Sequence, residues 1–259
     1  MSSEQAGKAE VSGKKIFFLH PTALIQNEVA AELIQQEYEV YVTKNHGNLR
    51  KVLKRYPNSV VFVTLDEGMQ EKDWETWIGG IMNTPETSST AIGIISANDS
   101  EALQRKYINN LKVSCGYTVL KHDLSASIRQ IHENLRTVDA KGRRKYMRAA
   151  TETETATTAN LPLNGTYVTG SIRDISVVGF SCSFDHDPEL VKNTLFKDIQ
   201  LRLQSTLLKA EGIVFGSRMD GLGKIYVILF TQRIDPEVKM KIRKYIQHNL
   251  QSKMDLELK

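Results

Sequence analysis

Cysteine is scarce. Only Cys115 and Cys182 occur among 259 residues, far apart and in no CxxC pair. This excludes a disulfide framework and points to a reducing cytoplasm. Charge of one sign is lacking too: 34 Lys and Arg oppose 30 Asp and Glu, a formal net charge of +4. A dedicated duplex-DNA binder would be more basic, although a local basic site for a small anion stays open. No apolar run approaches membrane-spanning length, so no membrane insertion is expected. Residues 1–13 are polar, lack the apolar core of a signal peptide, and are expected to form a disordered tail. Six histidines fall in no HxxxH or HExxH spacing, so no metal site is indicated. No Ser/His/Asp or Cys/His arrangement points to an enzyme. Gly221, Gly223 and Lys224 lack the leading glycine of a phosphate loop and run into a strand.

A hydrophobic fraction of 41% and a charged fraction of 25% fit one large globular domain or two ordinary ones. The first half alternates between strands and helices. Residues 15–19, 39–43, 60–65, 91–95 and 117–120 read as strands. Residues 23–35, 49–55, 71–82, 101–111 and 124–138 have helical spacing. The unbroken apolar run at 60–65 suits a strand buried on both faces. Five strand–helix units imply an α/β domain with a doubly wound parallel sheet over residues 14–138. Trp74 and Trp77 share helical spacing with Ile78 and Ile81 and read as core or interface residues.

The second half changes period. Asn164 and Gly165 form a hairpin signal, and Phe180, Cys182 and Phe184 alternate with serines, as do Ile199, Leu201 and Leu203 with polar residues. Residues 212–216 and 224–230 read as two more strands around a turn at Asp220 and Gly221. Strands at this spacing suggest a small all-β barrel or sandwich. A helix over residues 236–251 closes the chain. Val238, Ile242, Tyr245, Ile246 and Leu250 form its apolar stripe, and Lys239, Lys241, Arg243 and Lys244 its solvated face. This second domain spans residues 139–259, with a linker at 139–148.

That linker carries Arg143, Arg144, Lys145, Tyr146, Met147 and Arg148, and Asp174, Ser176 and Gly179 begin 26 positions after Arg148. The pairing resembles the PilZ family, whose signature is RxxxR followed by [D/N]xSxxG; the match is Arg144 and Arg148, then Asp174, Ser176 and Gly179. The resemblance covers roughly residues 140–250 and implies a six-stranded barrel with a closing helix that binds cyclic di-GMP. It also implies that Arg143, just before RxxxR, influences whether one nucleotide or a stacked pair is held. Control of motility, adhesion or virulence in a bacterium is likewise an implication of the family. The chemistry is consistent with it. Cyclic di-GMP offers two phosphates and two guanine O6/N7 edges, which the planar arginine fork meets bidentately. Asp174 can accept from guanine N–H groups, and the Ser176 hydroxyl can donate or accept. Gly179 permits a tight connection or a close backbone approach.

The first half resembles a response-regulator receiver. Asp66, Ser96 and Lys121 stand near the ends of the third, fourth and fifth strands. Two departures matter. The first strand runs into His20, Pro21 and Thr22 with no acidic pair to hold Mg²⁺, and His122 replaces the proline that usually follows the lysine. Asp66 is therefore expected to be a loop residue and not a phosphoacceptor. The leading expectation is a cytoplasmic, non-enzymatic cyclic di-GMP effector without other cofactor, acting on its other domain or on a protein partner. The alternatives are a phosphorylation-driven response regulator with a degenerate PilZ output and a structural adaptor that binds no nucleotide.

Overall fold

The computed structural model describes residues 13–121, 124–151, 156–221 and 223–259. Contacts divide the chain into two compact units. The first comprises the residues up to Lys145 with Gln251–Lys259, and the second is Tyr146–Leu250. Of the tail expected at 1–13, only Gly13 is among the described residues, and it is packed: a Cβ there would stand 2.8 Å from the Gly142 nitrogen. His122 and Leu222 also lie outside the described residues.

The first unit is a five-stranded parallel sheet in the order β2-β1-β3-β4-β5. Its strands are β1 (Ile16–Leu19), β2 (Val40–Thr43), β3 (Val60–Thr64), β4 (Ala91–Ser96) and β5 (Tyr117–Val119). Every residue of β1, β3 and β4 is buried, which is why these segments read as continuous apolar runs and not as alternating ones. The helices are α1 (residues 23–35), α2 (His46–Arg55), α3 (Glu71–Met82), α4 (residues 101–110) and α5 (Leu124–Thr137). Helices α1 and α4 contain π-helical turns, Ile25–Val29 and Lys106–Asn110, that apolar spacing does not reveal. Glu71 and Asp73 sit in the first turn of α3, where the helix dipole favours anions. Trp74 and Trp77 are core residues. Their indole N–H groups donate to the Glu67 and His46 carbonyls, each at 3.0 Å.

Strand β2 is an edge of this sheet, and its exposed backbone needs partners. Gln251 supplies them within the unit: the Val42 N–H donates to its Oε1 and its Nε2 donates to the Val42 carbonyl, both at 3.0 Å. The Asn45 and Asn48 amides donate to the Leu258 carbonyl. These bonds group the last nine residues with the first unit.

The second unit is a closed six-stranded antiparallel barrel with one extra strand and a C-terminal helix. The strands are β6 (Ala149–Ala150), β7 (Thr157–Leu163), β8 (Thr166–Ser176), β9 (Gly179–Ser183), β10 (Leu195–Leu203), β11 (Thr206–Asp220) and β12 (Gly223–Phe230), followed by α6 (Pro236–Glu257). The ladder runs β8-β7-β10-β11-β12-β9 and closes by pairing β9 with β8, while β6 adds to β8. Asn164 and Gly165 both have positive φ, 50° and 81°, as the tight β7–β8 hairpin requires. Ile199, Leu201 and Leu203 face inward on β10.

Strand β11 and helix α6 exceed their expected lengths most. Strand β11 covers residues 206–220 and not only 212–216, because Leu208, Ala210 and Val214 continue one inward row. A bulge between Val214 and Gly216 lets it bend without ending. Helix α6 runs to Glu257, past the expected end at residue 251, and its residues from Gln251 onward, with buried Met254, group with the first unit. No described helix is long and apolar enough to cross a membrane.

Candidate ligand-binding site

The signature residues of the second unit meet where β6, β8 and β9 pair. Strand β6 places Ala149 opposite Ile175 and Ala150 opposite Asp174. This short ladder sets Arg148 beside the Asp174 carboxylate, and Arg148 Nη1 donates to Asp174 Oδ1 at 3.3 Å. The pair is semi-exposed, with 48% of the arginine side chain and 25% of the aspartate side chain open to solvent. A surface ion pair of this kind contributes little to folding, roughly 0–1 kcal/mol. Its interest lies in the donors and lone pairs it leaves unused.

Asp174 owes its direction to a bulge. In β8, Ile172 pairs with Cys182 and Asp174 with Ser181, so Arg173 is the extra residue. Ile172 and Ile175 are both buried, three positions apart in a strand whose side-chain period is two. The bulge resolves that conflict by turning two successive charged residues, Arg173 and Asp174, away from the core. Thr151 satisfies the backbone around it: its N–H donates to the Arg173 carbonyl at 2.8 Å and its hydroxyl to the Ile172 carbonyl. Arg173 Nε donates to Ser183 Oγ at 2.8 Å, and the Ser181 hydroxyl donates to Asp174 Oδ2.

Ser176 and Gly179 close the β8–β9 hairpin. The Ser176 hydroxyl donates to the Gly179 carbonyl at 3.1 Å and accepts from the Val178 N–H at 3.4 Å. Ser176 is buried, so in this structure it shapes the turn. Gly179 is buried beside β12, where a Cβ would stand 2.3 Å from the Ile228 carbonyl oxygen. Arg143 and Arg144 are exposed in irregular backbone and group with the first unit. The structure thus brings together Arg148, Asp174, Ser176 and Gly179 of the expected set.

Sequence reasoning missed Ser181, Arg173 and Thr151. The serines of β9 read as the solvated side of a half-buried strand, yet Ser181 is only 3% exposed because it faces Asp174. The Ile172-to-Ile175 spacing was the available signal of a bulge.

In the first unit Asp66 follows β3 and is exposed. Its Oδ1 accepts from the Ser96 hydroxyl at 2.8 Å and its Oδ2 from the Ala97 N–H at 2.6 Å. His20, after β1, has a positive φ of 52°. Its ring packs on Gly68, whose substitution by any larger residue would drive a Cβ to 2.5 Å from Nδ1, and lies 5.5 Å from the Trp74 ring. Burial, and then the neighbouring His46, lower its pKa. Among the described residues no group of three or more His, Cys, Asp or Glu could hold a metal ion. Both cysteines are free and buried, and burial pushes their thiols up to about 12, which makes them poor nucleophiles.

Residues 142–248 match the family model described as PilZ domain. No curated protein matches the chain. Among solved structures it is similar to the PilZ domain with c-di-GMP of YcgR from Escherichia coli, at 16% identity and a TM-score of 0.37, over 44% of this chain and 96% of that one. It is also similar to the Bacillus subtilis inhibitor of motility MotI/DgrA, at 12% identity and a TM-score of 0.34, over 44% and 52%. The Mn²⁺-bound form of response regulator Rcp1 is similar at 14% identity and a TM-score of 0.38, over 47% and 91%. The chain spans about half the length of MotI/DgrA and of YcgR in its complex with c-di-GMP. Residues 142–248 of this chain, which hold the Arg148–Asp174 pair, are a PilZ domain.

Proposed function

We propose that this chain is a cytoplasmic, non-enzymatic effector that binds cyclic di-GMP on the outer face of the β8–β9 hairpin. The observation that carries the reading is the Arg148–Asp174 pair, presented by β6 and a β8 bulge inside a PilZ domain. In this reading Arg144 and Arg148 grip the phosphates and guanine O6/N7 edges of the ligand, which the guanidinium fork matches in shape and charge. Asp174 accepts from guanine N–H groups through its spare lone pairs. Ser176 and Gly179 hold the hairpin that presents it. Arg143 adds a further guanidinium for a second, stacked nucleotide.

The output we propose is conformational. Arg143, Arg144 and Lys145 are consecutive cations, and ligand phosphates would neutralise their mutual repulsion. Ala140 and Met147 are buried, so the ordering is concentrated in residues 142–146. Fixing that stretch costs about 1–2 kcal/mol per residue in backbone entropy, which lowers affinity and makes ligand state readable by the other unit or by a protein partner. Calorimetry of the full chain with cyclic di-GMP tests the binding. Hydrogen exchange, with protection expected to rise across 142–146 and 174–179, tests the ordering. A folded protein giving no heat and no shift in Tm with ligand overturns the reading.

A further inference from the structure

We propose that Ser181 is a positioning residue that aims the Asp174 carboxylate at the ligand and thereby sets selectivity for guanine; this rests on the cyclic di-GMP reading above. Outside the signature motifs, Ser181 is the residue whose side chain bears most directly on the site. It lies directly across the β8–β9 ladder from Asp174. It is 3% exposed, and its hydroxyl donates to Oδ2 while Arg148 holds Oδ1.

The arrangement has a definite consequence. An aspartate at the surface can turn about two side-chain torsions. Binding each oxygen to a different partner fixes the carboxylate plane. Each oxygen has two lone pairs, so each keeps one that can accept from a ligand N–H. The hydroxyl therefore orients the carboxylate and does not compete with the ligand for it. At this depth bulk water has little access to replace a lost hydroxyl. With alanine at 181, Asp174 would lose its Oδ2 partner, keep its bond to Arg148, and swing with that exposed side chain.

Selectivity follows from what a fixed carboxylate can read. The Watson–Crick edge of guanine carries an N1–H and an amino group that together match two carboxylate oxygens. Adenine has no N1–H, so a fixed carboxylate opposes adenine N1 with a second acceptor. A carboxylate free to turn away imposes no such penalty.

The test is calorimetric titration of the full chain and its variants with cyclic di-GMP and with cyclic di-AMP. Ser181→Ala is expected to weaken cyclic di-GMP binding about tenfold, the scale of one hydrogen bond to a charged group, while cyclic di-AMP binding does not weaken and gains as the adenine penalty is relieved. Ser181→Thr keeps a hydroxyl and should restore most of the affinity. Ser181→Cys keeps the volume with a much weaker donor and should behave like alanine, which covers the case in which the alanine variant does not fold. In an Asp174→Ala background the Ser181 substitutions should have no further effect.

If the wild-type chain binds neither nucleotide, the proposed function fails and this inference falls with it. If the wild type binds cyclic di-GMP and Ser181→Ala and Ser181→Cys bind equally well, only the inference fails. The inference is also overturned if the two nucleotides lose affinity in parallel, or if the loss persists in the Asp174→Ala background. Either result would mean that Ser181 serves the barrel or touches the ligand directly.

Discussion

A side-chain carbon on Gly179 would meet the carbonyl oxygen of Ile228 at 2.3 Å and the Leu229 Cα at 3.0 Å. Both atoms belong to the backbone of β12, which pairs with β9 and cannot step aside without breaking the barrel ladder. Gly179→Ala should therefore destabilise the second unit by about 1–3 kcal/mol, the usual cost of overpacking a tight site. Urea unfolding would show it as a lower midpoint. An unchanged midpoint would show that β12 accommodates a side chain at this position.

The arginines should separate from the lysine between them. Arg144→Ala and Arg148→Ala are each expected to weaken cyclic di-GMP binding by about 2–5 kcal/mol, as truncating one partner of a hydrogen-bonded charge pair does. Asp174→Ala should cost roughly 1–3 kcal/mol, the scale of a base contact. Lys145→Ala should change little, because it lies between the motif positions. Equal losses at Arg144 and Lys145 in calorimetry would assign the binding to unspecific charge.

Asp66 should not accept a phosphoryl group from acetyl phosphate in the presence of Mg²⁺. The segment after β1 presents His20 where an acidic pair would be needed, and both Asp66 oxygens already accept hydrogen bonds from Ser96 and Ala97. Intact-mass measurement should show no phosphoryl adduct. An adduct that disappears in Asp66→Asn would establish phosphotransfer after all.

The loop between β9 and β10 carries an acid-sensitive contact. The Tyr226 hydroxyl, then the Glu189 N–H, then Lys224 stabilise the charged form of Asp187 and lower its carboxyl from 3.8 to about 2. A depressed carboxylate contributes stability that is present above its ordinary pKa and is lost as pH falls through the folded value. The contact should thus weaken between about pH 4 and pH 2. Carboxyl carbon shifts in NMR should give the Asp187 midpoint near 2 in the wild type and nearer 3.8 in Tyr226→Phe. The same midpoint in both proteins would remove Tyr226 as the main cause.

Part of the candidate site was legible because its motifs are local. Arg148, Asp174, Ser176 and Gly179 stand at fixed offsets in sequence, and the side-chain types that would suit the proposed guanine and phosphate ligand are few. Ser181 was not legible. An alternating strand assigns its serines to solvent, and only the pairing of β9 with a bulged β8 turns Ser181 onto a carboxylate. The same limit appears in β11, where glycines that looked like strand ends are accommodated within a continuous strand containing a bulge.

The sequence by itself determined the two fold classes, α/β and then all-β. Apolar runs without alternation require strands covered on both faces, and period-two segments after residue 148 require a barrel or sandwich, because burial of apolar surface depends on side-chain period and little else. It also determined that an acidic pair is missing after β1. Only the tertiary structure decided which partner each polar group would take. Register set Asp174 between Arg148 and Ser181, and placed the Gln251 amide on the free edge at Val42. Hydrogen bonds are directional and short-ranged, reaching about 3.5 Å at most, so they depend on strand pairings between residues far apart in the chain. No periodicity along one segment carries that information.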